Sequence, residues 1–233
     1  CVNHPLNLPR CTPQDAAISG GFQSYEDETS WNYEAGFKVG RPNFTMSAAA
    51  YYNDIENLQV TLDAGSCSSR ISFNVPDAHA SGVELEFGWT PFTGLELSFA
   101  GSWVEAEFDS TVRDGGGNVI GGIQDGNRLA SMPEYQAAAT AAYYFPINWG
   151  AGGATDMFVA ASVQHVGSRY TQPSDQVAGA GNFSSGLAFG GATGAEVTAL
   201  DLELEPYTIL NLNAGLETEN WDLVLFVNNA TDE

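Results

Sequence analysis

Positive charge is scarce in this chain. Seven lysine and arginine residues face 29 aspartates and glutamates among 233 residues, a formal net charge of -22, and Lys38 is the only lysine. Such a surface repels phosphate backbones, which excludes nucleic acid as a partner. Long apolar runs are also missing. No stretch approaches the roughly 20 residues of a membrane helix, so helical spans are excluded. A β-barrel escapes that exclusion, because its strands cross with about 9 to 11 residues. Histidine is limited to His4, His79 and His165, far apart in sequence. With no Gly-x-Ser-x-Gly, His-Glu-x-x-His or P-loop pattern, the chain offers no recognisable catalytic centre and is not expected to be an enzyme or to carry a cofactor. Glu84 and Glu86 could act as paired carboxylates on a glycan, but alternating acids are ordinary on a wetted strand face. No second Cys/His pair has zinc spacing, and Asp109, Asp114 and Asp125 lack the spacing of a calcium loop, so no metal site is expected.

Cysteine is equally sparse, with three in all. Cys1 and Cys11 lie in a Pro/Asn-rich segment and are candidates for a loop disulfide in an oxidising compartment. Cys67 is the odd one, and three arrangements stay open for it: a partner outside the chain, exchange with either other cysteine, or a free thiol. With neither an initiator methionine nor a leader, the chain reads as a mature or cut fragment. Asn228 to Glu233 reads as a turn directly after a strand, which implies further strands beyond it.

What the chain does contain is alternation. Phe44, Met46, Ala48, Ala50 and Tyr52 share one face, with Thr45, Ser47, Ala49, Tyr51 and Asn53 on the other. Val83, Leu85, Phe87 and Trp89 oppose Glu84, Glu86 and Gly88, and similar patterns run from Leu95 to Trp103 and from Leu210 to Leu216. A period of two puts side chains on opposite faces of a strand. An apolar face backed by carboxylates fits a sheet with lipid outside and water inside. Further strands are expected at 32–39, 133–145, 157–170 and 221–228, with a small hairpin near 58–62 and 71–74.

Short or moderate connections fall near 41, 92, 151 and 219, and long ones near 65, 118 and 188. This asymmetry matches outer-membrane barrels, with short periplasmic turns and longer external loops. It places Trp89, Tyr143, Phe145 and Trp221 near one rim as an aromatic girdle, with Tyr52 and Trp103 nearer the other rim or within the belt. A soluble sandwich would use the same aromatics as core, but structureless loops of this length are uncommon in compact soluble domains. Residues 1–30, 58–79, 109–131 and 171–205 are therefore expected as external loops of one partial barrel domain spanning 1–233. The lipid-facing set is Phe44, Met46, Val83, Leu85, Phe87, Trp89, Leu95, Leu97, Trp103 and Trp221, while Glu34, Glu84, Glu86 and Glu96 face the interior.

The motifs resemble those of TonB-dependent outer-membrane receptors. The resemblance is carried by the segments from Ser30 to Lys38, Ala49 to Ile55, Ser81 to Glu86 and Pro91 to Leu97, and from Asn220 through Phe226-Val227-Asn228-Asn229-Ala230-Thr231-Asp232-Glu233. Their order covers nearly the whole chain, with Ala230 standing where the family commonly has leucine. The resemblance implies an all-β, antiparallel transmembrane β-barrel, here nine or ten strands of a 22-stranded barrel, without the plug domain, the TonB box or the closing strands. It implies energy-coupled import across the bacterial outer membrane of a scarce bulky solute such as a ferric siderophore, a cobalamin or an oligosaccharide. Partners would be the TonB complex, acting through the plug region, the membrane lipid and the ligand. A passive porin-like channel and a soluble all-β carbohydrate-binding or adhesion module are the alternatives.

Candidate ligand contacts are Arg113, Asp114, Asp125 and Arg128 in one loop, and His165, Arg169 and Tyr170 at the foot of the next. Arg128 or Arg169 would pair with an anionic ligand, or else form a salt bridge within the lumen or loop. Tyr170 would stack on a sugar or an aromatic siderophore, or else join the rim girdle.

Overall fold

A computed structural model describes residues 25–63, 70–147, 155–184, 197–218 and 220–232. The three cysteines, and with them the expected Cys1–Cys11 pairing, lie outside these residues. The strands are β1 (Thr29–Arg41), β2 (Phe44–Asp63), β3 (Arg70–Trp89), β4 (Leu95–Phe108), β5 (Tyr135–Ile147), β6 (Thr155–Val166), β7 (Arg169–Tyr170), β8 (Asn182–Ser184), β9 (Val197–Ala199), β10 (Glu203–Leu204), β11 (Tyr207–Thr218) and β12 (Asp222–Val227). One antiparallel sheet takes eight of them in the order β1-β2-β3-β4-β5-β6-β11-β12, while β10 pairs with β7 and β8 with β9. Nine or ten wall strands were expected, and the described residues supply eight. The strand expected at 157–170 shortens because β6 ends at Val166, and Arg169–Tyr170 turns away to pair with Glu203–Leu204.

The register decides what the alternation means. Ala35, Ala50, Val83, Trp103 and Tyr135 stand side by side across β1 to β5. The adjacent row runs Phe37, Ala48, Leu85, Gly101, Ala137, His165 and Thr208. Phe44, Met46, Phe87, Trp89, Leu95 and Leu97 have the same parity, as does Trp221 two residues before Leu223. Glu34, Glu84, Glu86 and Glu96 all lie on the reverse side, opposite Tyr51, Ala49, Ser47 and Ala142. Eight separate apolar rows thus merge into one face of one sheet. The two-layer alternative would need a second sheet over that face, and the other described sheets have only two strands each. The face is instead open, with Trp31 62% and Leu225 68% exposed.

Hydrogen-bonded rows cross the sheet obliquely. The row that starts at Arg41, the last residue of β1, passes Phe44, Trp89, Leu97, Ala141, Ala161 and Leu212 and ends at Val227, the last residue of β12. It therefore climbs from the short-turn end of β1 to the far end of β12. Such a stagger accompanies the strand tilt that barrel walls require.

A conventional hydrophobic core exists, but outside the wall. Residues 58–63 and 70–79 continue the β2–β3 ladder without a register shift, from Leu58 opposite Val75 to Asp63 opposite Arg70. The small hairpin read from the sequence is the far end of two 20-residue strands. Asn57, at φ 58, interrupts the ladder opposite Pro76. Beyond that break, side chains of the outer parity (Leu62, Phe73, Val75) join Ile55, Ala78 and Phe108 of the opposite parity in one buried cluster with Ile120 and Ile123. Phe73 and Ile123 have no exposed surface.

Removing a buried phenylalanine costs about 3–5 kcal/mol. Phe73→Ala should therefore raise amide exchange at Val60 and at position 73 sharply while the Ala48–Leu85 level keeps its protection. Unchanged exchange at Val60 would show that the cluster does not hold the hairpin.

Candidate functional site

The long connections form a packed cap at one end of the sheet. In the 109–131 segment, Val112 N–H donates to Ile123 O (3.1 Å), Ile120 N–H to Val112 O (2.9 Å) and Leu129 N–H to Ala106 O (2.8 Å). Gly121 and Gly122 have φ values of +56 and +75. A Cβ on the first would strike the Leu62 side chain, and on the second the Pro173 carbonyl. Glycine here supplies both the left-handed backbone and the close approach. The segment is thereby pressed between the β2–β3 hairpin and the 3-10 turn Pro173–Gln176.

Arg128 fastens the two long segments. Its Nη2 donates to Ser168 O (2.9 Å) and Met132 O (3.1 Å), and its guanidinium lies 3.5 Å from both Glu134 and Glu203. Its plane sits 5.7 Å from the Tyr170 ring centre. Its backbone exchanges two hydrogen bonds with the Gln176 amide: N–H to Oε1 at 2.9 Å, and Nε2 to the carbonyl at 2.8 Å. Glu203 is the hub on the other side, accepting from Ser168 Oγ at 2.5 Å and Tyr170 Oη at 3.3 Å. Burial first, and then the Glu203 carboxylate, pushes the Tyr170 phenol above its usual value. Arg128 and Tyr170 are thus brought together, as two parts of one strut. Their partners Glu203, Glu134, Ser168 and Gln176 carry no local sequence signal, since the Arg128–Glu203 pair spans 75 positions.

The other candidates are dispersed. Arg113 Nη1 donates to Gly117 O (3.0 Å), closing its own turn. Asp114 Oδ1 accepts from Gly116 N–H (2.8 Å) and Asn118 N–H (2.9 Å). The hydrogen bonds from Asn118, side chain first, hold the Asp114 carboxyl below the usual aspartate range. Asp125 donates its backbone N–H to Thr111 Oγ1 (3.1 Å), and its side chain is exposed. Arg169 lies over the Tyr207 ring at 5.9 Å, and its buried Nη1 has no hydrogen-bond partner among the described residues. His165 has the parity of the apolar face, not of the glutamates. It stacks on Tyr135 (5.5 Å, 5°), and its Nδ1 lies 2.8 Å from Thr208 Oγ1. Sequence reasoning passed over His79, whose Nδ1 lies 2.8 Å from Asp109 and whose ring stacks on Tyr52.

The polar face of the sheet is the other half of the arrangement. Ser47 Oγ donates to Glu86 (3.3 Å), and Asn211 Nδ2 donates to Ser162 Oγ (3.4 Å). Glu34, Lys38, Glu84 and Glu86 surround one hollow on this side. A wetted, acid-lined wall under a packed polar cap can line a passage and present contacts to a solute.

Arg128→Ala should loosen the cap by about 2 kcal/mol, the range of hydrogen bonds to a charged group. The expected reading is faster exchange at the Ser131 amide, which donates to Tyr170 O, with Arg128→Lys restoring it only in part. No change in either variant would remove the strut role. The Asp114 turn has a pH signature as well. A carboxylate whose folded pKa is depressed stabilises its turn above the unfolded pKa and loses that effect as pH falls through the folded value. Protection of the Gly116 and Asn118 amides should therefore persist at neutral pH and disappear only below the ordinary aspartate range, with Asp114→Asn flat across that window.

Known proteins share this architecture. The pesticin receptor of Yersinia pestis is 29% identical over 130 residues, which is 51% of this chain and 19% of that protein. Among solved structures, the ferric yersiniabactin uptake receptor FyuA from Yersinia pestis superposes with a TM-score of 0.61 at 23% identity, covering 88% of this chain and 25% of the receptor. The ferric preacinetobactin receptor BauA from Acinetobacter baumannii gives 0.57 at 15% identity over the same shares. The chain thus spans about a quarter of the solved receptors, and its sheet resembles part of their larger barrel. Residues 4–230 match the TonB dependent receptor-like β-barrel model, and the chain belongs to that family of bacterial outer-membrane receptors, which are transporters and not enzymes.

Proposed function

We propose that this chain is a wall segment and loop cap of an importer that draws a scarce, bulky solute through the outer membrane with energy supplied through TonB. A ferric siderophore is the solute class best supported, because FyuA and BauA are named for ferric siderophore-type ligands. Cobalamin and oligosaccharide remain the other classes to test. The carrying observation is the single apolar face that runs unbroken across eight strands, with glutamates on its reverse. In this reading Phe44, Met46, Val83, Leu85, Phe87, Trp89, Leu95, Leu97, Trp103 and Trp221 touch lipid. Glu34, Glu84, Glu86 and Glu96 line a lumen closed by further strands, to 22 in all, and filled by a plug through which TonB acts.

The long connections are then external and the short turns periplasmic. Arg128 and Tyr170 position the cap. Arg113 and Asp114, whose described hydrogen bonds close their own turn, Asp125 with its exposed side chain, and Arg169 above Tyr207 are the groups left to meet an incoming ligand. His165 is better assigned to the outer rim, on account of its parity.

Two measurements test this. Ala50 and Ala49 are adjacent but lie on opposite faces, and Ala49 stands opposite Glu84. An arginine at mid-membrane on the lipid face costs about 2–4 kcal/mol. In the full receptor, Ala50→Arg should lower folding stability by that amount while Ala49→Arg is tolerated, and the reverse order would invert the wall. For transport, cells carrying the receptor should accumulate radio-iron from a panel of ferric siderophores, and a protonophore should abolish the uptake. Uptake that survives the protonophore would identify a passive channel, and uptake of none of the panel would redirect the search to cobalamin and oligosaccharide.

A further inference from the structure

Charge replaces hydrocarbon on the apolar face where β2, β3 and β4 reach the cap. Two steps capward of the row that holds Val83 and Trp103, the register sets Trp31, Asp54, His79 and Glu107 side by side. Glu56 and Asp77 stand opposite each other at the next position of the same parity, and Glu105 and Asp109 flank Glu107 along the chain. On these three strands the only basic residues are His79 and Arg70, and Arg70 stands opposite Asp63 at the hairpin tip. Arg128 bridges Glu107 through its backbone, but its guanidinium engages Glu134, Glu203, Ser168 and Met132. His79 is therefore the basic side chain left to answer these carboxylates.

The ring is held in a fixed pose. It stacks on Tyr52, with ring centres 5.8 Å and planes 17° apart, and its side chain is only 18% exposed. Nδ1 lies 2.8 and 2.9 Å from the two carboxylate oxygens of Asp109. A carboxylate can only accept, so Nδ1 carries a hydrogen in the neutral and the charged ring alike, and Nε2 is the nitrogen that titrates. Gaining that proton keeps the same hydrogen bond and adds the attraction of a full positive charge to Asp109, and to Asp54 and Glu107 on either side.

What the pair grips is the root of the cap. Asp109, the first residue after β4, donates its N–H to Asp77 O (3.0 Å). Asp77 N–H donates to Ser110 Oγ (3.2 Å), and Ser110 Oγ donates to Asp77 O (3.2 Å). The segment returns to the same place, where Phe108 N–H donates to Asn127 O and Gly126 N–H to Phe108 O, both at 2.9 Å. Its far part is fixed by other means, through Ile120 and Ile123 in the buried cluster and through the Arg128 strut. The root depends on the knot of Asp77, Asp109 and Ser110, and His79 is the side chain that ties it.

We propose that His79 and Asp109 form a proton-operated fastening of the 109–131 segment to β3, tight in mild acid and slackened as the imidazole becomes neutral. The sign follows from the groups around the ring. Asp54 from β2, Asp77 from β3 itself, and Glu105, Glu107 and Asp109 from β4 and its continuation are all acidic, so a proton gained here relieves repulsion in the folded junction. Glu107, on the charged stretch past Trp103, works in the same direction. Burial first, and then Glu105, pushes its carboxyl above the usual value, against the opposing pull of His79. A group raised by folding favours the folded junction below its unfolded pKa, and that gain is lost as pH rises through the folded value. Arg113 and Asp114 belong to the fastened segment, so acid also steadies the turn offered to a ligand. That consequence rests on the transport reading, whereas the fastening does not.

Amide exchange of the full-length receptor in detergent micelles tests this, read as protection factors so that the intrinsic pH dependence of exchange is removed. Between about pH 5 and about pH 8, the span over which histidine changes charge, protection of the amide at position 109 should fall about fivefold, the scale of one partly exposed ion pair. The Ile120 amide, which donates to Val112 O, should stay level. His79→Gln can still donate to Asp109 but cannot titrate, and should flatten the profile, as should Asp109→Asn. Glu107→Gln should keep most of the step. An unmodified receptor as flat at position 109 as at Ile120 overturns the proposal. So does a step that survives His79→Gln at full size, which would assign it to a carboxylate. Ile120 protection also reports whether each variant is folded, and if His79→Gln loses it, Asp109→Asn is judged by the same criteria. Uptake is followed over the same range: a step in protection with none in uptake supports the fastening and counts only against its link to the passage.

Discussion

Strict register of a period-two pattern is the constraint on which the rest of this structure depends. A strand's side chains alternate without exception, so a slip of one residue between neighbours would turn a whole apolar row to the wrong face. Seven consecutive antiparallel pairings keep Phe44, Val83, Leu97, Ala141 and Leu212 on one side of the sheet. Backbone pairing and side-chain segregation are here the same fact. In hydrocarbon every N–H and C=O must be bonded within the protein, and the ladder that does this also sorts the side chains into an apolar and a polar face.

Charge follows from that sorting. The excess of acids over bases is not spread evenly, since Glu34, Glu84, Glu86 and Glu96 lie on the reverse of the apolar face, whereas Glu105 and Glu107 share the parity of Trp103 at the cap end of β4. At Arg128 the balance is local: one guanidinium answers Glu134 and Glu203 together and ties two segments far apart in the chain. Arg128 is largely covered, but Glu134 is half and Glu203 a third exposed, so neither ion pair is a large source of stability by itself. The importance of Arg128 is positional, because the backbone exchange with Gln176 and the close packing at Gly122 act at the same junction.

The wall and the cap are stabilised by different means. Among the described residues the wall has almost no buried side chains of its own, and its apolar face lies open. The cap buries Phe73, Phe108 and Ile123 completely, like a small soluble core. The crossover occurs at Asn57, where a left-handed residue opposite Pro76 lets outer-parity side chains turn into that core.

Sequence alone determined the wall. β4 was legible from its first residue, Leu95, through Trp103, and runs on to Phe108, because alternation is a local property and each strand states its own two faces. The family was legible for the same reason, through short motifs on those strands. The cap was not. Residues 58–79 and 109–131 read as loops because Ile120 and Ile123 follow no period, and their burial depends on Leu62 and Phe73 from another hairpin. Arg128 was recognisable as a loop cation, but only folding could show that Glu203, 75 positions away, would hold it. Likewise the placement of His165 on the apolar side arises from register between strands, which no single strand encodes.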